Sequence, residues 1–131
     1  MNNVVHKKDL LYPELSYKII GILMKVNGTL GYGHKEKYYE NAAAVAFKNE
    51  SIKHSQQLYM PLIFEKEKIG SYYLDFLIED KIVLELKQGN SFSKSDIEQV
   101  YTYLKSYKLK LGILARFSSN GLMFKRIVNI N

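Results

Sequence analysis

The stretch from Ser71 to Gln88, SYYLDFLIEDKIVLELKQ, constrains the fold more than any other part of the chain. It holds two β-prone runs, 71–79 and 82–88, with room between them only for a tight turn around Asp80, so the two are expected to pair as a hairpin. Strand side chains alternate between faces, and a slip of one residue carries every side chain to the other face. Pairing Ile78 with Ile82 sets Phe76 against Leu84 and Leu74 against Leu86, a continuous apolar ladder, and leaves a three-residue loop, Glu79 to Lys81. The same register puts Asp75 across from Glu85, Tyr73 across from Lys87 and Leu77 across from Val83 on the opposite face. The neighbouring register would oppose Phe76 to Glu85 and Leu74 to Lys87, destroying the apolar face. Core formation therefore predicts that two acids and a lysine cluster.

Two facing carboxylates repel unless something between them compensates. A hard divalent cation does so. Magnesium prefers oxygen ligands and keeps several waters, which makes Asp75, Glu85 and the backbone carbonyl of Leu86 a candidate partial coordination shell. Lys87 would stand beside it, placed to orient a water or offset charge on a phosphate. The competing explanation is a solvated strand face with an ordinary salt bridge. The formal net charge of +6 over 131 residues favours polyanionic partners. The absence of cysteine excludes disulfides and thiolate metal sites. No stretch is long and apolar enough to cross a bilayer, and MNNVVHKKD lacks the apolar core of a signal peptide, so a cytoplasmic setting is expected.

The rest of the chain supplies the partners of the hairpin. Pro13 suits a first helical turn, and Leu15, Ile19, Ile22, Leu23 and Val26 form one stripe that Asn27-Gly28 should end. After Gly28, Gly31 and Gly33, a second helix is marked by Tyr39, Ala42, Ala43, Ala46 and Phe47 at helical spacing. Glu36 lies one turn before Tyr39 on that inward stripe, where an acid also complements the helix dipole. Leu58 to Phe64 reads as a strand with Pro61 pointing to an edge or bulge, and Glu65 to Gly70 as a charged turn. Ser93 can cap a helix over about 94–107, with Asp96 three residues on as in a capping box, and Ile97, Val100, Tyr101 and Leu104 as its apolar stripe. Residues 111–117 form a buried strand and 122–130 a final one. The order is ααβββαββ in one domain, 1–131, without linker or repeat.

Gly33, Glu36 and Tyr39 spell G-x-x-E-x-x-Y, followed by Asp75, by Glu85-Leu86-Lys87, and by Gln99 and Tyr103 as Q-x-x-x-Y. This ordered set resembles the GxxExxY family of the PD-(D/E)XK nuclease superfamily over nearly the whole chain. The resemblance implies an α/β fold with a restriction-endonuclease-like αβββαβ core, a mixed central sheet flanked by helices. It implies that Asp75 and Glu85-x-Lys87 bind magnesium, with manganese as a substitute, and that the lysine assists the attacking water. Glu36 is then expected to complete or support the metal site. Gln99 and Tyr103 resemble the equivalent pair of RecB-type nucleases, and with Tyr39 are expected on the substrate side.

The expected function is metal-dependent hydrolysis of phosphodiester bonds in nucleic acid, DNA in the first instance. A non-catalytic nucleic-acid-binding module on the same scaffold is the alternative, and a protein-interaction domain the third possibility. So small a nuclease core offers little surface to DNA, which suggests a homodimer. His6, His34 and His54 share no metal-ligand spacing and read as surface residues. Tyr72, Tyr73, Tyr101 and Tyr107 are candidates for half-buried packing or base stacking, and Lys105, Lys108 and Lys110 for dipole compensation or backbone contact.

Overall fold

The computed structural model describes residues 11–130. His6 and the leader-free reading of MNNVVHKKD lie outside the described residues. The elements run α1 (Pro13–Leu30), α2 (Glu36–Asn49), β1 (His54–Phe64), β2 (Glu67–Ile78), β3 (Ile82–Gln88), α3 (Lys94–Tyr107), β4 (Leu111–Ser118) and β5 (Gly121–Val128), in the predicted order. The strands form one sheet in chain order, antiparallel except for the parallel β3–β4 pair joined through α3. None of the described helices is long and apolar enough to cross a membrane.

Apolar side chains divide between two faces. On one, Ile19, Leu23 and Val26 of α1 and Tyr39, Ala43 and Phe47 of α2 cover Phe76, Ile78, Leu84, Leu86, Ile113 and Phe117. On the other, Val100, Tyr103 and Leu104 of α3 pack on Leu58, Met60, Leu74, Val83, Leu114 and Ile127. Helices thus sandwich a mixed sheet, and β4, buried along its whole length, is its spine. The α3–β4 approach is close enough that a methyl at Gly112 would overlap Cγ1 of Val100, a β-branched side chain with little room to turn. Gly112→Ala should cost about 1–3 kcal/mol through overpacking, and a thermal melt at or above that of the unaltered protein would refute the expected fit.

Several boundaries differ from the sequence expectation. α1 does not stop at Asn27-Gly28 but continues to Leu30, where Gly31 caps the helix at positive φ (75) and donates its N–H to Asn27 O. A glycine inside a helix costs only about 1 kcal/mol, whereas the cap needs positive φ. The charged turn over 65–70 shrinks to Glu65-Lys66, both left-handed (φ 48 and 68), and β2 begins at Glu67. Two successive positive-φ residues match the twist of a two-residue hairpin loop. Ser93 caps α3 by accepting from Asp96 N–H at 3.0 Å, but the Asp96 carboxylate does not return to Ser93, because Arg116 and Lys87 take it. His54 is not a surface residue: its ring lies half-buried between Phe47 and Phe76.

Candidate functional site

The central hairpin pairs as predicted at its closed end, Ile78↔Ile82, Leu77↔Val83 and Phe76↔Leu84, and there the ladder stops. The expected Leu74↔Leu86, Asp75↔Glu85 and Tyr73↔Lys87 backbone pairs are absent from it. Leu74 joins the α3-side core while Phe76 joins the α1/α2 side, so the alternation of β2 breaks at Asp75. The partner strand breaks at the matching place: Gln57, between the pairs Gln56↔Phe76 and Leu58↔Leu74, is left-handed (φ 57). Because β2 changes face here, the two strands part as a fork.

Carboxylates fill the fork. Asp75 N–H donates to Glu85 Oε1 at 3.0 Å, and Leu86 N–H donates to Asp75 Oδ2 at 2.8 Å. Each acid thus stands where a cross-strand carbonyl would have accepted. Lys87 Nζ lies 3.4 Å from Glu85 Oε2 and 3.7 Å from Asp96 Oδ1. The predicted cluster of two acids and a lysine therefore forms, though by side-chain bonds across a split rather than by a continuous ladder.

The charges in this cluster are held under strain. Burial, and then the neighbouring Asp75 charge, push the Glu85 carboxyl up to about 8 against the pull of Lys87. Asp75 is also raised, first by burial, with the Leu86 N–H acting against it and Glu40 reinforcing it. Burial draws Lys87 down, but Glu85, Asp96 and Glu36 outweigh it and hold its ammonium above the ordinary lysine value. Lys87 is therefore a retained positive charge. Among the described residues no three histidine, cysteine or carboxylate side chains gather closely enough to hold an ion by themselves. The donors suit a hard divalent cation that keeps part of its water shell, and two buried acids that repel each other suit its charge.

The other predicted residues take different places. Glu36 is exposed, yet its Oε2 accepts from Gln88 N–H at 3.1 Å, at the open end of β3 next to Lys87. Tyr39 is fully buried; its hydroxyl donates to Gly31 O at 2.6 Å and accepts from His34 N–H, and its ring stacks on Phe117 at 4.1 Å. That side chain braces the glycine turn, in which Gly33 has φ 103 and His34 Nε2 lies 2.9 Å from Leu30 O. Gln99 lines a shallow groove with Leu62, Tyr72, Lys94 and Thr102, whereas Tyr103 is in the α3-side core, stacked on Tyr107. Among the described residues no hydrogen bond or ion pair joins Gln99 or Tyr103 to the fork. Tyr73 and Tyr107 are exposed; Tyr72 and Tyr101 pack partly against α3's core.

Sequence reading missed two buttresses. Glu40 is buried, 6% exposed, and its Oε2 accepts from the side chains of Gln56 and Gln57, both at 3.0 Å. Arg116, 7% exposed, donates to Gln88 O at 2.9 Å and to Asp96 Oδ2 at 3.1 Å. Each left a trace: Glu40 follows Tyr39 and lies one turn after Glu36, and Arg116 is the charged residue inside the apolar run LGILARF. A broad groove of about 1130 Å³ between α1 and β5 contains none of the fork residues.

A family model described as the PD-(D/E)XK nuclease superfamily matches residues 13–127, from α1 into β5. A search of curated proteins finds no match. Among solved structures, the chain is similar to one described as "Crystal structure of SSO0001", with a TM-score of 0.54 and 16% identity. The match covers 90% of this chain and 57% of that one, so the chain spans little more than half that protein's length. At that identity the likeness concerns the fold alone. With its mixed five-stranded sheet flanked by helices and a family match over nearly all its described length, the chain belongs to the PD-(D/E)XK nuclease superfamily.

Proposed function

We propose that this protein is a cytoplasmic, magnesium-dependent nuclease of the GxxExxY type that hydrolyses phosphodiester bonds in DNA. The observation that carries the reading is the fork, where Asp75 and Glu85 face each other beside the retained charge of Lys87. Asp75 and Glu85 would hold the cation, together with the carbonyl of Leu86. In an extended strand the N–H and C=O of one residue point to the same edge, and Leu86 N–H is turned into the fork toward Asp75. A divalent cation bound there supplies charge to stabilise a phosphate oxygen in the transition state. Lys87 keeps its proton, so it orients the attacking water and offsets charge on the phosphate rather than acting as a base. Glu36 fixes the end of β3 through Gln88, which holds Lys87 in reach. Gln99, which lines a groove, would meet the nucleic-acid strand, and Tyr39 and Tyr103 would support the turn and helix from within.

The test is incubation of the purified protein with linear, circular and single-stranded DNA and magnesium or manganese, beside Asp75→Ala and Lys87→Ala. The expected result is metal-dependent cutting that both variants lose by about 100-fold or more. DNA binding without cutting by the unaltered protein would instead establish the non-catalytic module.

A further inference from the structure

The break in β1 and β2 that opens the fork needs a cause, and the candidate lies on the far side of the sheet from α3. Gln57 is a non-glycine residue in the left-handed region, in the middle of a strand, where its side chain meets a steric cost. It sits across from Asp75 at the one point where the β1–β2 pairing lapses without changing register, from Gln56↔Phe76 to Leu58↔Leu74. Normal alternation would send Gln56 and Gln57 to opposite faces. Both instead reach the same carboxylate oxygen of Glu40 on α2. Lys37 Nζ, 3.5 Å from the other Glu40 oxygen, anchors that carboxylate from its own helix.

We propose that Glu40 is a positioning residue for the metal site: by clamping Gln56 and Gln57 it imposes the left-handed turn that directs Asp75 into the fork. The inference rests on the nuclease reading for its biological meaning, but its mechanics are those of the β1–β2 pair. With the clamp released, Gln57 returns to extended geometry, the alternation of β2 is restored, and Asp75 swings away from Leu86 N–H and Glu85. Metal affinity then falls although neither Asp75 nor Glu85 has itself been substituted. Partners that orient ligands in this way typically account for about 10- to 100-fold in affinity.

Manganese binding, read by electron paramagnetic resonance well below the melting temperature, tests this without turnover. Glu40→Ala is expected to bind manganese about 10- to 100-fold more weakly. Glu40→Gln, whose amide oxygen still accepts from a glutamine, loses less. The decisive variant is Glu40→Ala combined with Gln57→Gly, since glycine adopts positive φ without a clamp. It should regain most of the affinity without regaining thermal stability. Manganese affinity unchanged in Glu40→Ala would overturn the proposal, and DNA cutting by that variant at the unaltered rate would show that the nuclease reading survives it. Loss without rescue by Gln57→Gly would also overturn it, making Glu40 a ligand or a purely structural acid. Manganese binding that follows the expected pattern in a protein that cuts no DNA supports the clamp and removes the nuclease reading alone.

Discussion

Asp75→Asn is expected to melt roughly 3–10 °C above the unaltered protein at pH 8 in EDTA, and to lose metal-dependent cleavage. Two buried carboxylates share the fork, and burial together with the Asp75 charge raises Glu85 to about 8. A raised carboxyl favours the protonated form in the folded protein. Its contribution to stability is therefore intact below the ordinary value of 4.5 and is lost as pH rises through about 8. The asparagine oxygen can still accept from Leu86 N–H, and its amide can donate to Glu85, while the repelling charge is gone. The gain should be about 1–3 kcal/mol, a few degrees per kcal/mol for a domain of this size. Urea or thermal melts between pH 5 and 9 check the sign: the unaltered protein should lose stability with rising pH in EDTA, and both the variant and added magnesium should flatten that slope. A variant no more stable than the unaltered protein at pH 8 would mean that the acids do not repel as the geometry indicates. The trade of stability for a charged site is common where function needs strained groups.

Arg116→Met should be among the most damaging single changes, at about 3–5 kcal/mol, because it removes the Arg116 partner of the Gln88 carbonyl and leaves the Asp96 carboxylate only its longer contact with Lys87. Arg116 joins the end of β3, the first turn of α3 and β4, and it lies over the Phe92 ring at 5.4 Å. A double-mutant cycle separates the pair from its surroundings. Asp96→Ala added to Arg116→Met should cost less than the two single changes summed, by about 1 kcal/mol or more. Recovery stays incomplete, since Gln88 O loses its Arg116 partner and Lys87 loses one of its two ion pairs. Strict additivity in urea melts would show that the bond seen at 3.1 Å carries little energy.

Local rules made much of this chain legible. The apolar ladder of the hairpin specified Phe76 against Leu84 and Ile78 against Ile82, because any slip would expose the core. Ser93 marked the start of α3, since a hydroxyl there satisfies an otherwise free helical N–H. Pro61 marked β1 as an edge, because proline cannot supply a central ladder bond. The same rules failed at the site. Periodicity assumes that a strand keeps its faces, so it extended the ladder through Asp75 when the strand changes face there. Helical spacing set Gln99 and Tyr103 together, yet only tertiary packing shows Tyr103 in the core and Gln99 on a groove.

By itself the sequence determined the order of elements and the closed end of the hairpin, because each follows from alternation, capping and burial within short stretches, and it put Asp75 on one strand and Glu85 and Lys87 on the next. What only the tertiary structure decided was how those three residues meet. Glu40 comes from α2, Asp96 from α3 and Arg116 from β4, and the partners of their side-chain hydrogen bonds lie 16 to 28 residues away in the chain. Buried charges must find such partners wherever the fold brings them, and no local periodicity encodes that distance.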